Sequence, residues 1–386
     1  MKYIKQLDSV RAIAVLLVIF GHWSHIPPSK IPFGPTGVDI FFVLSGFLIT
    51  KILIENRIKA KLTNTPTSTL VKSFYLRRSL RIFPIYYLTI FLLLLIADST
   101  NTTIKSSFGY YATYTTNFYF YSINDWDGIL SHLWSLAVEE QFYLIWPWFI
   151  LFLNKKYLLH VIIGFIIIGT GSHFIVSGMG EILTFTCFDA FGFGALLSWQ
   201  IVFAPEKIKR FYRVVAVAGA IALLLLIIRS ASGAPQFDAT RTLISCVALW
   251  IITYLVMHQP SDTHKLKFIF DNGVLIFLGK ISYGLYLYHN IIPDIVTLKI
   301  VDKYFNPLLP DVLTKKFWPH LFLFENTILL MLISWLSYVL IEKRFLNFKK
   351  YFSYEKKESI RTQVELSGKT TGEKYSPDQG TTSVSS

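Results

Sequence analysis

Long apolar runs separated by short basic loops dominate the chain. A helix needs about 20 mainly apolar residues to cross the hydrocarbon core of a bilayer. Ten stretches of that kind can be marked, roughly at 10–26, 36–54, 82–98, 136–153, 157–176, 181–203, 213–229, 241–257, 273–297 and 320–341. Those running Val38 to Ile54, Val214 to Ile228 and Leu321 to Ile341 are the clearest. Those at 136–153 and 273–297 carry polar residues, which blurs their ends. The first has basic residues before it, like a signal peptide. It also contains Arg11 and His22, lacks a small-residue cleavage site and is followed by further spans, so it is read as a retained helix. The expected fold is an all-α integral membrane protein, a bundle of about ten transmembrane helices over residues 1–345. Residues 346–386 end in a polar, Gly/Ser/Thr-rich stretch without apolar periodicity and are expected to form a disordered cytoplasmic tail.

Composition agrees with the pattern. Hydrophobic residues make up 53% of the 386 positions and charged residues 16%, against roughly a quarter charged in soluble domains. That excludes a disordered chain and argues against soluble domains. The net charge of +13 could mark a nucleic-acid binder, but its distribution points to topology. Arg57, Lys59, Lys61, Lys72, Arg77, Arg78 and Arg81 follow the second span. Lys155 and Lys156, then Lys207, Lys209 and Arg210, then Lys343, Arg344, Lys349 and Lys350 fall in loops on the same side. Segments 99–131 and 230–240 on the other side are poor in Lys and Arg; only 298–319, with Lys299, Lys303, Lys315 and Lys316, runs against the trend. The positive-inside rule then places both termini in the cytoplasm. Membrane lipids, and not nucleic acid, are the expected surroundings. Cys187 and Cys246 lie far apart in apolar runs, excluding a disulfide scaffold or Cys-based zinc site. No His-x-x-x-His metal pair, Gly-rich phosphate loop or GxSxG elbow occurs, so no metal is expected.

Ionisable groups inside a membrane are costly and are functional candidates by default. Arg11 and His22 are eleven residues apart on the first span, which returns the helix to within about 20° of one face after roughly 16 Å. Arg11 then sits near the cytoplasmic entrance and His22 deeper, an order that suits an anionic substrate entering from the cytoplasm; a snorkelling Arg11 and a His22 at the outer interface fit the same spacing equally well. Arg78 and Arg81 are one turn apart and could hold a phosphorylated cofactor, or simply anchor the topology. Asp39 either pairs with His22 or caps its own helix, and Gly37 and Gly46 allow close helix approach. Glu139 and Glu140 point about 100° apart, so only one need face the interior, where a carboxylate could orient an imidazole; the alternative is an interfacial helix start with acidic residues in its first turn, with Trp134, Tyr143, Trp146 and Trp148 as an aromatic belt. His132, Asp189, His289 and Glu342 are weaker candidates, Glu342 reading most simply as a partner of Lys343 or Arg344.

The segments LDSVRAIAVLLVIFGHW, GVDIFFVLSGFLIT, RRSLRIFPIYY, WSLAVEEQFYLIWP, ISYGLYLYHN and IEKRF follow one another in this order. Together they closely resemble the acyltransferase-3 family of integral membrane acyltransferases, over about residues 5–345. The resemblance implies transfer of an acyl group, usually acetyl, from cytoplasmic acyl-CoA to a hydroxyl of a cell-surface or exported glycan. Candidate acceptors are a lipid-linked saccharide, O-antigen, exopolysaccharide, peptidoglycan or a small secreted metabolite, and the implied location is the bacterial inner (plasma) membrane. It implies that His22 is the general base or acyl carrier, with Glu139, Glu140 or Asp39 assisting. Arg11, Arg78 and Arg81 would hold acetyl-CoA. The chain resembles members without an appended hydrolase-like domain. A polytopic transporter or flippase, and an acyl-translocating subunit serving a separate transferase, are the alternative classes.

Overall fold

The computed structural model describes residues 3–24, 32–232, 239–258, 266–310, 318–352 and 354, which are helical and contain no strand. Helices α1 (Gln6–Trp23), α2 (Phe33–Leu62) and α3 (Thr67–Leu95) open the bundle. Two short helices, α4 (Ile104–Ala112) and α5 (Thr116–Ile123), occupy a stretch expected as loop. Then come α6 (Leu133–Phe152), α7 (Lys155–Ser172), α8 (Phe188–Phe203), α9 (Ile208–Ser232) and α10 (Thr240–Met257). The last part holds α11 (Lys267–Phe270), α12 (Gly273–Lys280), α13 (Ser282–Tyr288), a π-helical stretch Ile292–Phe305, α14 (Trp318–Ser337) and α15 (Lys343–Asn347).

Among the described residues, eight helices are long and apolar enough to cross a membrane. The other two expected spans are present in altered form. The fourth is α6, with Glu139, Glu140 and Gln141 at its middle. The ninth is broken: Ile281 leaves helical geometry between α12 and α13, and the chain then widens into the π-helical stretch that begins at Ile292 with Pro293 next. These two departures fall on elements that carry Ser135, Glu139, Glu140 and Tyr286 of the cavity described below.

Helix α2 is central and packs on α1, α3, α6, α8 and α10. Two of its residues touch neighbouring backbones directly. A Cβ on Gly37 would lie 2.3 Å from the Ala14 carbonyl oxygen, and one on Gly46 would lie 2.1 Å from that of Phe191. Both glycines therefore serve the close approach expected of them, and Gly37 fixes the helix that carries Arg11 and His22. Gly46→Ala should push α8 away at an overpacking cost of about 1–3 kcal/mol, read as a lower unfolding temperature of the detergent-solubilised protein. By contrast, α9 packs on α10 and turns Val214, Val217, Ile221, Leu224 and Ile228 outward, as a lipid-facing helix does.

The chain does not leave the bundle at 346. A 3-10 turn, Phe348–Tyr351, continues α15 and packs on α3. Arg77 grips it by donating to the carbonyls of Lys349 (2.9 Å) and Phe352 (3.2 Å). The segment expected as tail thus begins as a docked turn, and residues 355–386 lie outside the described residues. Of the lysines in 298–319, Lys299 and Lys303 lie in the π-helical stretch, whereas Lys315 and Lys316 fall outside the description.

Candidate active site

His22 occupies the last turn of α1, where Nδ1 lies 2.9 Å from the Val18 carbonyl oxygen. A carbonyl can only accept, so Nδ1 carries the proton and Nε2 keeps its lone pair. The imidazole is thus oriented by its own helix. Its ring packs edge-on against His289 with centroids 4.8 Å apart, and His289 packs the same way on His132 at 4.8 Å. His289 immediately follows α13 and His132 immediately precedes α6. His22 is the exposed member of the trio; the other two are buried.

A cavity of about 80 Å³ lies between α1, α2, α3, α6 and α13. Arg11, Arg78, Arg81, Glu139 and Glu140 all line it. Arg11 Nη1 is 2.7 Å from Asp8 Oδ1, and Asp8 also accepts the Tyr3 hydroxyl. Arg78 lies over the rings of Tyr143 (5.1 Å) and Phe74 (6.0 Å). Ser45 and Tyr143 both donate to Glu139. Both glutamates face this cavity, where one was expected to suffice. Their angular offset instead turns Glu139 toward Ser45 of α2 and lets Glu140 reach a second cleft with Phe83 and Tyr114. Glu342 is buried, whereas its sequence neighbours Lys343 and Arg344 are exposed.

Ser135 and Tyr286 are hydrogen-bonded to each other and also line the cavity. The Tyr286 ring lies 5.5 Å from His289 and 5.8 Å from His132. The cavity and the imidazole trio therefore share a wall. Arginines and glutamates stand on one side of it and His22 on the other.

The expected pairing of a carboxylate with His22 is not what the structure shows. Asp39 forms a buried pair with Arg241, with Oδ1 2.7 Å from Nη2 and 3.1 Å from Nε. Arg241 also donates to the Glu181 carbonyl at 2.7 Å and lies over the Trp134 ring. Asp39 neither caps α2 nor meets the imidazole, because a guanidinium is the stronger partner for a buried carboxylate. Asp189 is buried beside it and accepts from Thr242 at 2.6 Å, with His173 Nε2 at 3.3 Å. Arg241, Ser45, Ser135 and Tyr286 are not marked by the sequence, and Tyr143, which reads there as an aromatic-belt residue, instead donates to Glu139. Ser135 follows His132 by three residues and Tyr286 precedes His289 by three, a spacing that shares a helix face.

The family comparison matches residues 4–341 to an acyltransferase domain. The chain belongs to the acyltransferase-3 family. This member is 32% identical over 315 residues to the peptidoglycan O-acetyltransferase OatA of Listeria monocytogenes, covering 75% of this chain and 49% of that one. It is 30% identical over 330 residues to the putative O-acetyltransferase SACOL0978 of Staphylococcus aureus, covering 78% and 52%. With the putative peptidoglycan O-acetyltransferase YrhL of Bacillus subtilis it shares 28% over 371 residues, covering 89% and 55%. The chain thus spans about half the length of the curated relatives it matches. No solved structure matches it. Family membership and the apolar helices make it a multi-pass membrane protein.

Proposed function

We propose that this acyltransferase-3 protein transfers an acetyl group from cytoplasmic acetyl-CoA to a glycan hydroxyl. The observation that carries this reading is the cavity in which three arginines and two glutamates meet, with a wall shared by the trio that includes His22. Arg78 and Arg81 would neutralise the phosphates of the donor, assisted by Arg11, whose charge is shared with Asp8. The pantetheine arm would run past Ser135 and Tyr286 toward His22. Nε2 of His22 would take the hydroxyl proton as the oxygen attacks the thioester carbonyl. The C–S bond breaks, and the thiolate leaves with that proton. A route through an acyl-histidine uses the same lone pair as nucleophile. Both termini would be cytoplasmic, with the arginine end of the cavity facing the donor pool. Relatives named for peptidoglycan make it the first acceptor to test, ahead of O-antigen or exopolysaccharide.

The test uses purified protein in proteoliposomes with radiolabelled acetyl-CoA and peptidoglycan fragments. Label on the glycan, dependent on the protein, supports the reading. Transport of acetyl-CoA or glycan without acetylation would identify a transporter instead. A second reading draws on the length of the relatives: the acetyl group could pass to a separate transferase domain. Transfer by this chain alone would exclude it. Arg78→Ala/Arg81→Ala should raise the dissociation constant for acetyl-CoA at least about tenfold, since a hydrogen bond to a charged group contributes about 1.5–3 kcal/mol. Titration calorimetry checks this, and unchanged affinity would remove both arginines from the donor site.

A further inference from the structure

His289 is fully buried, and its Nδ1 lies 2.6 Å from the Tyr286 carbonyl oxygen. That nitrogen must be the donor, which leaves a lone pair on Nε2. Nε2 is buried and, among the described residues, has no hydrogen-bond partner. An unmade buried hydrogen bond of this kind is costly, and such exceptions call for an explanation. The indole Nε1 of Trp23, next to His22 in the chain, donates to the His289 carbonyl at 3.0 Å and ties the two residues together. On the far side, His132 donates Nε2–H to the Leu287 carbonyl at 3.1 Å, and its Nδ1 is 3.5 Å from the Asn290 amide nitrogen. Among the described residues, the titratable groups packed against the His289 ring are His22 from α1, His132 at the start of α6 and Tyr286 from its own helix.

In their neutral forms His22 and His289 each give the Nδ1 proton to a backbone carbonyl, which leaves the lone pair of each ring on Nε2. Two bare nitrogens cannot bond to each other, but they can share one added proton. We infer that His289 is a positioning residue that accepts a hydrogen bond from His22 once His22 has been protonated. In this role it replaces the carboxylate that usually stabilises an imidazolium; here Asp39 is engaged by Arg241 and Glu139 by Ser45 and Tyr143. The balance is complete without a further reactant. The hydroxyl O–H breaks and its proton goes to His22 Nε2, where His289 helps to hold it. The O–C bond forms, the C–S bond breaks, and the thiolate takes the proton. Both imidazoles end neutral.

This inference rests on the reading of His22 as the base, and the experiment separates the two. His22→Ala, His289→Ala and His289→Gln are purified and assayed for acetyl transfer across pH, with acetyl-CoA affinity as the folding control. His289→Ala should lower kcat about 10- to 100-fold with KM for acetyl-CoA unchanged. The acidic limb of its pH–kcat profile should move down by about one unit, a tenfold drop in the proton affinity of His22. His289→Gln, whose amide oxygen can accept the same bond, should recover part of the rate and return the limb toward the native position. Native kcat and an unmoved limb in both His289 variants, with His22→Ala inactive, would overturn the role of His289 alone. Full activity of His22→Ala would overturn the base itself. A loss of rate in both His289 variants with no movement of the limb would make the residue structural and also overturn the inference.

Discussion

His22→Ala should lower acetyl transfer about a hundredfold to ten-thousandfold, the range that a positioned general base contributes. Acetyl-CoA should still bind with native affinity, because the arginines that would seat it lie across the Ser135–Tyr286 wall from the imidazole. The prediction is specific to a lone pair at that place. Nδ1–H is committed to Val18 at 2.9 Å, so Nε2 is the one basic atom the ring can offer. The assay is the transfer of radiolabel from acetyl-CoA to glycan per folded molecule, with calorimetric binding on the same preparation. Normal transfer by the variant would discard His22 as base and as acyl carrier together. A loss of binding equal to the loss of rate would instead make His22 part of the donor seat.

Much of this site could be read from the chain because its parts lie on single helices at periodic spacing. Arg11 and His22 share a stripe of α1, and Arg78 and Arg81 share a turn of α3. Geometry within one helix follows from 3.6 residues per turn. What could not be read lies between helices. Arg241 stands 202 residues from Asp39 and, at the start of α10, looks in sequence like a flanking positive charge. The trio draws one imidazole from each of three distant segments, and no local pattern announces that they meet. The two spans with the least certain ends, α6 and α12–α13, were uncertain for a physical reason. Glu139, Glu140 and Gln141 lower the hydropathy of one, and the break at Ile281 interrupts the periodicity of the other. The polar content and broken helix that blurred the prediction are the features that bring side chains into the cavity.

Asp39 was expected in the chemistry, and its pairing leads to a different large effect. Arg241→Met leaves the Asp39 carboxylate in a site where it is 1% exposed, with its guanidinium partner gone. Breaking a buried pair in this way costs about 3–5 kcal/mol. Asp39→Leu should cost a comparable amount, because among the described residues the stranded guanidinium keeps the Glu181 carbonyl, the Cys187 sulfur and the Trp134 ring but no carboxylate. The double variant Asp39→Leu/Arg241→Met removes both charges and should recover most of the loss, since apolar replacement of a whole buried pair is often neutral or stabilising. Thermal unfolding in detergent measures all three. Turnover per folded molecule supplies the second readout. If Asp39 only joins α2 to α10, the double variant turns over at close to the native rate. A stable double variant with little turnover would return Asp39 or Arg241 to the catalytic machinery. Equal instability in the single and double variants would mean that the cost comes from packing of the side chains and not from the separated charges.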